Sequence, residues 1–263
     1  MQIVGILNIT PDSFSDGGLY MAPSSALHQA DTLFVEGADI IDIGPESSRP
    51  SPTATPLSEH EVWRRLEPIL TPLMQKYDPA KISIDTYHPE VIRRLLQLGV
   101  GYINDVTGGR DPAVLKLIAQ HPYVKYIAMF STSIPADKTQ HIRDLREIDQ
   151  WMENTISMCM AAGIKEEQLI LDPGIGFSTN TEQSIAVLKD ISHYKSYGFP
   201  LYIGHSRKSF LTAFTEAPPA GRDLETAALS FYLALTGAVD YVRVHNVAFT
   251  KRTVKVARRF QPI

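Results

Sequence analysis

The chain has 263 residues, of which 44% are hydrophobic, and its formal net charge is −4 at pH 7. This length suits one large barrel or two ordinary domains, and no apolar run approaches the about 20 residues that a membrane-spanning helix needs. The chain has no long run of basic residues, which argues against general nucleic-acid binding.

The N-terminal region begins with an apolar strand and lacks the features of a secretion signal. MQIVGILNIT has neither a basic start nor a small-residue cleavage site. Cys159 is the single cysteine and lies in an apolar helical stretch. We therefore expect a buried free thiol in a reducing cytoplasm. The loop after the strand, TPDSFSDGG, combines many side-chain oxygens with Phe14, and this composition indicates ligand contact.

Short apolar strands, each followed by an amphipathic helix, repeat along the whole chain. The predicted strands are Ile3–Leu7, Ile40–Ile43, Ile82–Ile84, Tyr102–Ile103, Tyr126–Met129, Leu169–Leu171, Leu201–Ile203 and Tyr241–Val244. The predicted helices are Ser24–Glu36, Glu59–Lys76, Pro89–Leu98, Pro112–Gln120, Leu145–Ala162, Glu182–Tyr197, Leu224–Thr236 and Val247–Arg259. Eight such units predict an α/β fold, a closed (β/α)8 TIM barrel formed by a single domain over residues 1–263. A doubly wound open sheet is the weaker alternative.

Polar side chains follow almost every predicted strand, at the barrel face where active sites lie. They are Asn8, Glu46 with Arg49, Asp85, Asn104 with Asp105, Asp172, the run Ser206 to Ser209, and Arg243 with His245. The fifth strand is the exception and ends in Met129, Phe130 and Ser131. Helix capping explains one or two aspartates, such as Asp111 or Asp223, but it does not explain arginine and lysine at these junctions.

Two well-known motifs match only in part, and the motifs of zinc sites are absent. The stretch Gly204–Lys208 begins like the G-x-S-x-G nucleophile elbow but lacks its last glycine. The stretch Gly174–Phe177 lacks the third glycine of a dinucleotide fingerprint. A lone cysteine excludes a structural zinc site, and no H-E-x-x-H motif is present. Serine hydrolase, dinucleotide and zinc chemistry are therefore disfavoured.

The remaining strand-end residues form three chemical groupings. Asp85, Asn104 and Asp172 suit a flat heterocycle with several N–H donors, because buried carboxylates form charge-assisted hydrogen bonds. A second grouping, Arg49, Arg243 and His245, offers cationic donors to an anion, and Asn8 offers a hard oxygen to Mg²⁺. The third is the run Ser206 to Ser209 at a helix start, which suits a second anion. Residue chemistry alone leaves open which anion binds where.

Seven motifs together resemble the dihydropteroate synthase family. They are GILNITPDSFSDGG, IDIGPESSRP, SIDTYHPEVI, INDVTGG, DPGIGF, SRKSF and VRVHNV, in the order and spacing of that family. The family joins 4-aminobenzoate to (7,8-dihydropterin-6-yl)methyl diphosphate and releases diphosphate. The resemblance covers nearly the whole chain and implies Mg²⁺ as cofactor.

The resemblance also implies a role for each matching residue. The pterin site comprises Asp85, Asn104, Met129, Asp172, Lys208 and Arg243. The diphosphate site comprises Asn8, which also binds the metal, with Ser48, Arg49, Arg243 and His245. The 4-aminobenzoate site comprises Phe14, Pro50, Lys208 and Ser209. The implied catalytic residues are Asn8, Arg49, Lys208, Arg243 and His245. Phe14 and Pro50 belong to two lid loops that close over the second substrate.

Four departures from the family pattern keep alternatives open. They are Pro45 after Gly44, Phe130 after Met129, Ser178-Thr179 after DPGIGF, and Asn246 in the last motif. One alternative is a divergent pterin-binding paralogue without catalysis. A second and weaker one is a pterin-dependent corrinoid methyltransferase, which has no need for Lys208-Ser209. The chain begins at its first strand, and a fusion to a pyrophosphokinase domain in a longer polypeptide is a further expectation.

The helix predicted at Leu224–Thr236 is too apolar for an ordinary outer helix of a barrel. We expect Leu224, Ala227, Ala228, Phe231 and Leu235 to pack on the barrel, and Leu229, Tyr232 and Leu233 to point partly elsewhere. A helix that is apolar on more than one side usually has a second partner. Because the resembled family forms dimers through its last helices, we expect a homodimer.

Overall fold

The computed structural model describes residues 1–9, 22–46, 57–133 and 140–260. Phe14, Ser48, Arg49 and Pro50 lie outside these ranges. The sequence-based roles of these four residues therefore remain predictions.

Within the described ranges, eight parallel strands form a barrel in the order β6-β5-β4-β3-β2-β1-β8-β7. Their bounds are β1 Gln2–Asn8, β2 Ile40–Gly44, β3 Ile82–Asp85, β4 Tyr102–Asp105, β5 Lys125–Met129, β6 Leu169–Asp172, β7 Tyr202–Ile203 and β8 Tyr241–Val244. A parallel bridge between Leu171 and Leu201 joins the two ends of this order and closes the barrel. The predicted (β/α)8 fold is confirmed.

The helices surround the strands, and their bounds agree with the prediction to within a few residues. They are α1 Pro23–Val35, α2 Glu59–Lys76, α3 Pro89–Gln97, α4 Pro112–Ala119, α5 Arg146–Ala161, α6 Thr181–Lys189, α7 Ile191–Lys195, α8 Asp223–Thr236 and α9 Val247–Phe260. The predicted helix Glu182–Tyr197 is two helices, because the backbone at Asp190 leaves helical geometry (φ −100°, ψ 30°). Asp111 caps α4 by accepting a hydrogen bond from the Ala113 N–H (2.8 Å), as predicted.

The barrel has one hydrophobic layer outside the strands and a smaller one inside. Residues such as Ile41 and Ile84 face the helices and belong to the large outer core. Inside the barrel, a layer is formed by Val4, Ile40, Ile127, Ile170 and Tyr202. Because side chains alternate along a strand, the inward position two residues later lies one layer nearer the carboxyl ends. That next layer is polar and forms the candidate site.

The predicted packing face of α8 is wrong. Leu224 is 73% exposed, whereas Leu233 is fully buried, as are Thr226 and Ser230. The physical reason is a buried polar contact behind β7. Nε2 of His205 lies 2.9 Å from the Ser230 hydroxyl and 3.1 Å from the Thr226 carbonyl oxygen. The barrel side of α8 is therefore partly polar, and a count of apolar residues does not identify it.

Two other predictions of the sequence concern burial. Cys159 is a buried free thiol, as predicted, and burial raises its pKa to about 12. Among the helices described here, none combines the length and the apolar composition needed to cross a bilayer.

Candidate active site at the carboxyl ends of the strands

The centre of the site is a buried ionic network that joins four strands. Nε of Arg243 donates to Asp42 Oδ2 (2.6 Å), and Nη2 of Arg243 donates to Asp85 Oδ2 (3.4 Å). Asp42 also accepts hydrogen bonds from the Asn104 side-chain amide (3.2 Å) and from the Ser83 hydroxyl. Asp42, Ser83, Asp85 and Asn104 are all buried. The network therefore fixes the guanidinium across the mouth of the barrel.

Asp42 is the residue of this network that was not predicted, because the sequence analysis considered polar residues at the ends of strands. It lies inside β2, two residues before the strand ends, and is fully buried. A charged residue within the apolar run Ile40-Ile41-Asp42-Ile43 was the available signal. A buried charge requires a partner, and here that partner is Arg243, which lies 201 residues further along the chain.

The ionisation of Asp85 is poised near neutral pH. Burial raises the pKa of its carboxyl to about 7, against the opposing effect of Arg243. The neighbouring charge of Asp42 raises that pKa further. Perturbed carboxyl groups in a cleft are typical of functional sites. Asp85 can therefore exchange a proton in the pH range of an enzyme assay.

Asp172 and Lys208 form the opposite wall. Burial raises the pKa of Asp172 to about 6, although Lys208 lowers it, and Oδ1 of Asp172 accepts a hydrogen bond from the Gly174 N–H (2.8 Å). Burial lowers the pKa of Lys208 to about 8, with Arg243 acting in the same direction. The Lys208 ammonium donates to the Ile175 carbonyl oxygen and lies 4.4 Å from the centre of the Phe177 ring. This wall therefore offers a carboxylate, a cation and an aromatic ring.

Two glycines of DPGIGF shape that wall. Their structural role explains why the motif contains glycine without any need for nucleotide binding. Gly174 has φ +69°, and a Cβ there would lie 2.0 Å from the Phe130 carbonyl oxygen. Gly176 has φ +75°, and a Cβ there would lie 3.2 Å from the Lys208 side chain. Only glycine adopts these angles without strain. The two glycines thus let the loop after β6 approach Lys208 closely.

His245, at the end of β8, is oriented by the loop after β7. The Ser206 hydroxyl lies 2.9 Å from His245 Nδ1 and accepts a hydrogen bond from the His245 N–H (3.2 Å). Ser206 itself is buried. Ser206 therefore positions His245, whereas the sequence placed it in an anion site.

The same two loops are joined a second time, through α8. The Arg207 guanidinium binds Asp223 with both Nε (2.6 Å) and Nη2 (2.9 Å). Asn246 donates to the same carboxylate (3.0 Å). Arg207 has φ +59°, rare for a residue other than glycine. Asp223 is therefore an ion-pair partner and not the helix cap that the sequence suggested, because it is the first residue of α8 and Arg222 holds the capping position.

Ser209 is exposed and opens a short 3-10 helix, Ser209–Ala213, rather than an α-helix. The expected helix-start anion site is thus reduced to a single turn of five residues. Lys208 precedes this turn with extended backbone geometry. Its side chain lies beside Asp172, whereas Ser209 faces solvent.

Asn8 ends β1 and is partly exposed. A Cβ on Gly44 would lie 3.2 Å from Asn8 Oδ1 and 3.9 Å from Arg243 Nη2, so Gly44 keeps space open beside both groups. Mg²⁺ in proteins usually keeps several waters and binds few protein oxygens, most often carboxylates, together with substrate phosphates. The amide oxygen of Asn8 could supply one such ligand, and its role as a metal ligand stays a prediction.

Glu46 contacts Leu57 and His88. Its Oε1 accepts a hydrogen bond from the Leu57 N–H (2.7 Å), and its Oε2 lies 3.5 Å from His88 Nε2. Glu46 was predicted as a polar residue at the end of β2. In the structure it bridges backbone and loop groups at the rim of the site.

Met129 and Phe130, at the end of β5, point to opposite faces of the sheet. Alternation along β5 directs Met129 inward, two positions after Ile127 of the inner layer. Phe130 is buried on the outer side, with its ring 5.6 Å from that of Trp151. This departure from the family pattern therefore lies in the outer core.

The other departures also have local structural roles. Ser178 accepts a hydrogen bond from the Thr132 N–H (2.8 Å), and the Pro45 carbonyl oxygen accepts one from Arg65 (3.0 Å). Asn246 accepts from the Phe249 N–H (3.0 Å) and so caps α9. The contacts of Ser178 and Asn246 use their own side chains and lie outside the central network, whereas the contact at Pro45 uses a backbone carbonyl that any residue would supply.

Comparison with known proteins identifies relatives along almost the full chain. Residues 4–245 match the family described as pterin binding enzyme. A dihydropteroate synthase from Synechocystis sp. is 39% identical over 260 residues, which cover 97% of this chain and 88% of the relative. A folate synthesis bifunctional protein from Chlamydia caviae is 35% identical, and the match covers 97% of this chain but 58% of that longer protein.

The fold comparison agrees with the sequence comparison. The crystal structure of a dihydropteroate synthase from Clostridium difficile, obtained in the presence of pteroic acid, matches with a TM-score of 0.88 and 37% identity. The match covers 98% of this chain and 96% of that one.

Proposed function

The chain belongs to the dihydropteroate synthase family of pterin-binding enzymes, and from this premise we propose which of its residues carry the reaction. The reaction is a transfer in folate synthesis. The amine of 4-aminobenzoate forms a C–N bond to the methylene carbon of the pterin methyl diphosphate and loses a proton, while the C–O bond to diphosphate breaks and diphosphate leaves. Similarity to synthases, in sequence and in fold, favours this activity over the corrinoid methyltransferase and the non-catalytic paralogue.

The observation that carries the proposal is the buried network of Arg243, Asp42, Asp85 and Asn104, with Asp172 and Lys208 opposite. A pterin is flat and has N–H donors on one edge and acceptors on another. Asp85 and Asp172 accept from the N–H groups, while Asn104 and Lys208 donate to the acceptors. Met129 contributes an apolar surface for the ring.

The diphosphate is the second part of the proposed substrate. Arg243 and His245 end the same strand, next to Asn8 on β1, so we assign them to this group. Ser48 and Arg49 are assigned to it from sequence. When bound at Asn8, Mg²⁺ supplies Lewis-acid stabilisation to the phosphate oxygens.

The residues of the chain stabilise charge on the leaving group rather than activate the amine. An aryl amine is a weak nucleophile, so breaking the C–O bond is the demanding step. Arg243 is already fixed by Asp42, and His245 by Ser206, so both side chains are oriented before negative charge develops. Preorganised groups of this kind provide the largest contribution to many enzymatic rates.

The 4-aminobenzoate site is assigned to Lys208 and Ser209, with Phe14 and Pro50 from sequence. Lys208 is placed to attract the carboxylate by charge, and the exposed Ser209 hydroxyl can donate to it. Closure of the two lid loops would exclude water from the reactive carbon.

The test of the function is direct. The purified protein is incubated with both substrates and Mg²⁺, and 7,8-dihydropteroate and diphosphate are measured. We expect both products in equal amounts. Binding of the pterin diphosphate without release of diphosphate would support the non-catalytic alternative instead.

We expect ordered binding, with the pterin diphosphate first. In the sequence the two lid loops carry groups assigned to both substrates, so the second site should form only after the diphosphate has ordered these loops. Calorimetry with 4-aminobenzoate alone should show little heat, and binding should appear once diphosphate and Mg²⁺ are added. Equal affinity in both conditions would contradict this order.

The proposed assembly is a homodimer formed through α8 and α9. Large apolar residues exposed on these helices are Leu224, Tyr232, Phe249, Val256 and Phe260. Leu233 is not among them, because it is fully buried in the core. The expectation that Leu233 points away from the barrel is therefore wrong, and its replacement would test folding rather than assembly.

Light scattering at micromolar concentration should give about twice the 29.2 kDa chain mass. Tyr232→Glu should shift the mass towards the monomer, because Tyr232 is 39% exposed on α8 and a charge would enter the interface. Leu98→Glu is the matched control, since Leu98 is 45% exposed but follows α3. A monomeric wild type, or equal effects of both variants, would refute the interface.

Two broader assignments complete the proposal. The relative from Chlamydia caviae is a bifunctional protein, which supports a fusion to a pyrophosphokinase domain as one arrangement for this chain. The buried free thiol of Cys159 suits a reducing compartment, and we place the reaction in the cytoplasm.

A further inference from the structure

The loop after β7 contains a turn with an unusual backbone conformation. Residues 205–208 form this turn, and the Lys208 N–H closes it by donating to the His205 carbonyl oxygen (3.4 Å). Arg207, its third residue, has φ +59° and is the one residue other than glycine with a positive φ in the described part of the chain. Turns with a positive φ at this position usually have glycine or asparagine there. An arginine is strained in this conformation, and such strain persists only where the surrounding structure enforces it.

Residues at the start of α8 hold Arg207 in this conformation. The Arg207 N–H donates to the Thr226 hydroxyl (3.2 Å), and that hydroxyl donates to the Arg222 carbonyl oxygen (2.8 Å). The Arg207 guanidinium binds the Asp223 carboxylate through both Nε and Nη2. The backbone and the side chain of Arg207 are therefore both anchored to the same end of the same helix.

Arg222, the N-cap residue of α8, adds contacts on the other side of the strained residue. Its side chain is buried. Its Nε donates to the Ala217 carbonyl oxygen (2.9 Å), and its Nη1 donates to the carbonyl oxygens of Arg207 (3.3 Å) and Lys208 (3.2 Å). The last two carbonyl groups belong to the peptide groups on either side of the Lys208 Cα. A planar guanidinium donates in fixed directions, so Arg222 fixes the backbone of Lys208 before and after its side chain.

We propose that Arg222 is a positioning residue that directs the Lys208 side chain into the site by holding the peptide groups on both sides of its Cα. This inference rests on the proposed function, in which Lys208 binds the pterin and the carboxylate of the second substrate. Without the guanidinium, the strained turn at Arg207 relaxes, and the Lys208 ammonium moves away from its place beside Phe177.

Arg222→Met tests the inference, because methionine keeps a long unbranched side chain but donates no hydrogen bond to the three carbonyl groups. We expect kcat/KM to fall about 10- to 50-fold, since a displacement of about 1 Å can cost about 100-fold. The KM for 4-aminobenzoate and the Kd for 6-hydroxymethylpterin should both rise, because Lys208 is assigned to both ligands. The thermal midpoint should also fall by several degrees, so a second variant must separate position from stability.

Arg207→Gly is that second variant, because glycine adopts a positive φ without strain. In the Gly background the turn keeps its shape without help from Arg222. Adding Arg222→Met to Arg207→Gly should therefore lower the thermal midpoint again but change kcat/KM by less than about threefold. Arg207→Gly alone, which also loses the ion pair with Asp223, is the reference for this step. Steady-state kinetics and thermal unfolding of the four proteins complete a double-mutant cycle.

Arg222→Lys replaces Arg222→Met in this cycle if the methionine variant does not fold. Lysine keeps the charge, but one ammonium does not span the three carbonyl groups that the guanidinium reaches. We expect a loss of about three- to tenfold in kcat/KM with Arg207 present, and a loss of less than about twofold in the Arg207→Gly background.

The outcomes separate this inference from the function on which it rests. A large loss of activity with Arg207 and a small one in the Arg207→Gly background, at similar losses of thermal midpoint, supports the role of Arg222. Equal losses of activity in both backgrounds, or activity of Arg222→Met within twofold of wild type, overturn the inference and leave the function intact. A wild-type protein that forms no 7,8-dihydropteroate overturns both.

Discussion

Asp42→Asn is expected to lower the free energy of unfolding by about 3–5 kcal/mol, the usual cost of breaking one side of a buried ion pair. It should also lower kcat/KM on the order of 100-fold. Asp42 is fully buried, and Arg243 donates to it at 2.6 Å. Few other single changes at this site should have so large an effect.

The stability loss follows from the donors around Asp42. Its carboxylate accepts from Arg243, from the Asn104 amide and from the Ser83 hydroxyl. An asparagine has one acceptor oxygen and presents an N–H₂ group in place of the other. At least one of the three donors therefore loses its acceptor, and the guanidinium loses the charge of its near partner, while its other contact is the longer one to Asp85 (3.4 Å).

The activity loss follows from position rather than from contact with substrate. Asp42 is a positioning residue, because it acts through Arg243 and Asn104. A displacement of about 1 Å of a catalytic group is enough for a loss of about 100-fold. We expect a fall in kcat together with weaker pterin binding, since Arg243 is assigned to the leaving group and Asn104 to the ring.

Urea unfolding and steady-state kinetics measure both effects. Asp223→Asn is a suitable control, because it makes the same change in the partly exposed pair of Asp223 with Arg207, whose side chains are 18% and 27% accessible. That variant should lose about 1 kcal/mol or less. If the free energy of unfolding of Asp42→Asn lies within 1 kcal/mol of the wild-type value, then the buried network does not stabilise the fold as proposed.

The fold was predictable because its signal is repeated eight times. Each unit combines a short apolar strand with an amphipathic helix, so an error in one unit does not change the architecture. The error at α6 and α7 shows this, since a turn at Asp190 divides one predicted helix but leaves the barrel unchanged. The closure through Leu171 and Leu201 was implied by the number of units.

The site was predictable only where its residues occupy the last two positions of a strand or come after it. Asp85, Asn104, Asp172, Lys208 and Arg243 converge as predicted from their strand ends. Asp42 was not predicted as a site residue because it lies further inside its strand, where the register decides whether a side chain points into the barrel.

The face of α8 that packs on the barrel was mispredicted, because it depends on a contact that is visible only in the structure. His205 lies behind β7, and burial lowers its pKa to about 4, so it is neutral and hydrogen-bonded to Ser230. This contact rotates the small polar residues of α8 inward and leaves Leu224 exposed. The apolar composition of α8 therefore predicted that the helix has a second partner, but it did not predict which residues of α8 face that partner.

Pterin affinity is expected to fall steeply as the pH is lowered through 7, and Asp85→Asn is expected to remove this dependence. The proposed contact requires the ionised carboxylate, which accepts from the ring N–H groups. Burial raises the pKa of Asp85 to about 7 in the free protein. Below that pH protons compete with the ligand, so the Kd should rise up to tenfold per pH unit.

Asp172 should make the pH dependence of the pterin Kd steeper at lower pH, because burial raises the pKa of Asp172 to about 6. Between pH 8 and pH 6.5 the wild-type Kd should therefore rise by a factor of a few, and below pH 6 it should rise faster. Both carboxyl groups must lose a proton for tight binding. Pterin binding near neutral pH should consequently release protons into the buffer.

Stability of the free protein should change in the opposite direction. A raised carboxyl pKa means that the folded protein holds its proton more tightly than the unfolded chain does. The contribution of Asp85 and Asp172 is thus most favourable below pH 4 and is lost as the pH rises through about 6 and 7. Pterin should stabilise the protein most where these carboxylates are ionised.

Asp85→Asn isolates the first carboxylate. Loss of a charge-assisted hydrogen bond in a closed site is worth roughly 1.5–3 kcal/mol, so the Kd at pH 8 should rise about ten- to 150-fold. Between pH 8 and pH 6.5 the variant should show a nearly flat Kd, because an amide does not titrate. Calorimetry of wild type and variant with the same pterin cancels the titration of the ligand itself. If the variant binds within twofold of wild type at pH 8, or keeps the wild-type slope near pH 7, then Asp85 is a packing residue and the proton acts elsewhere.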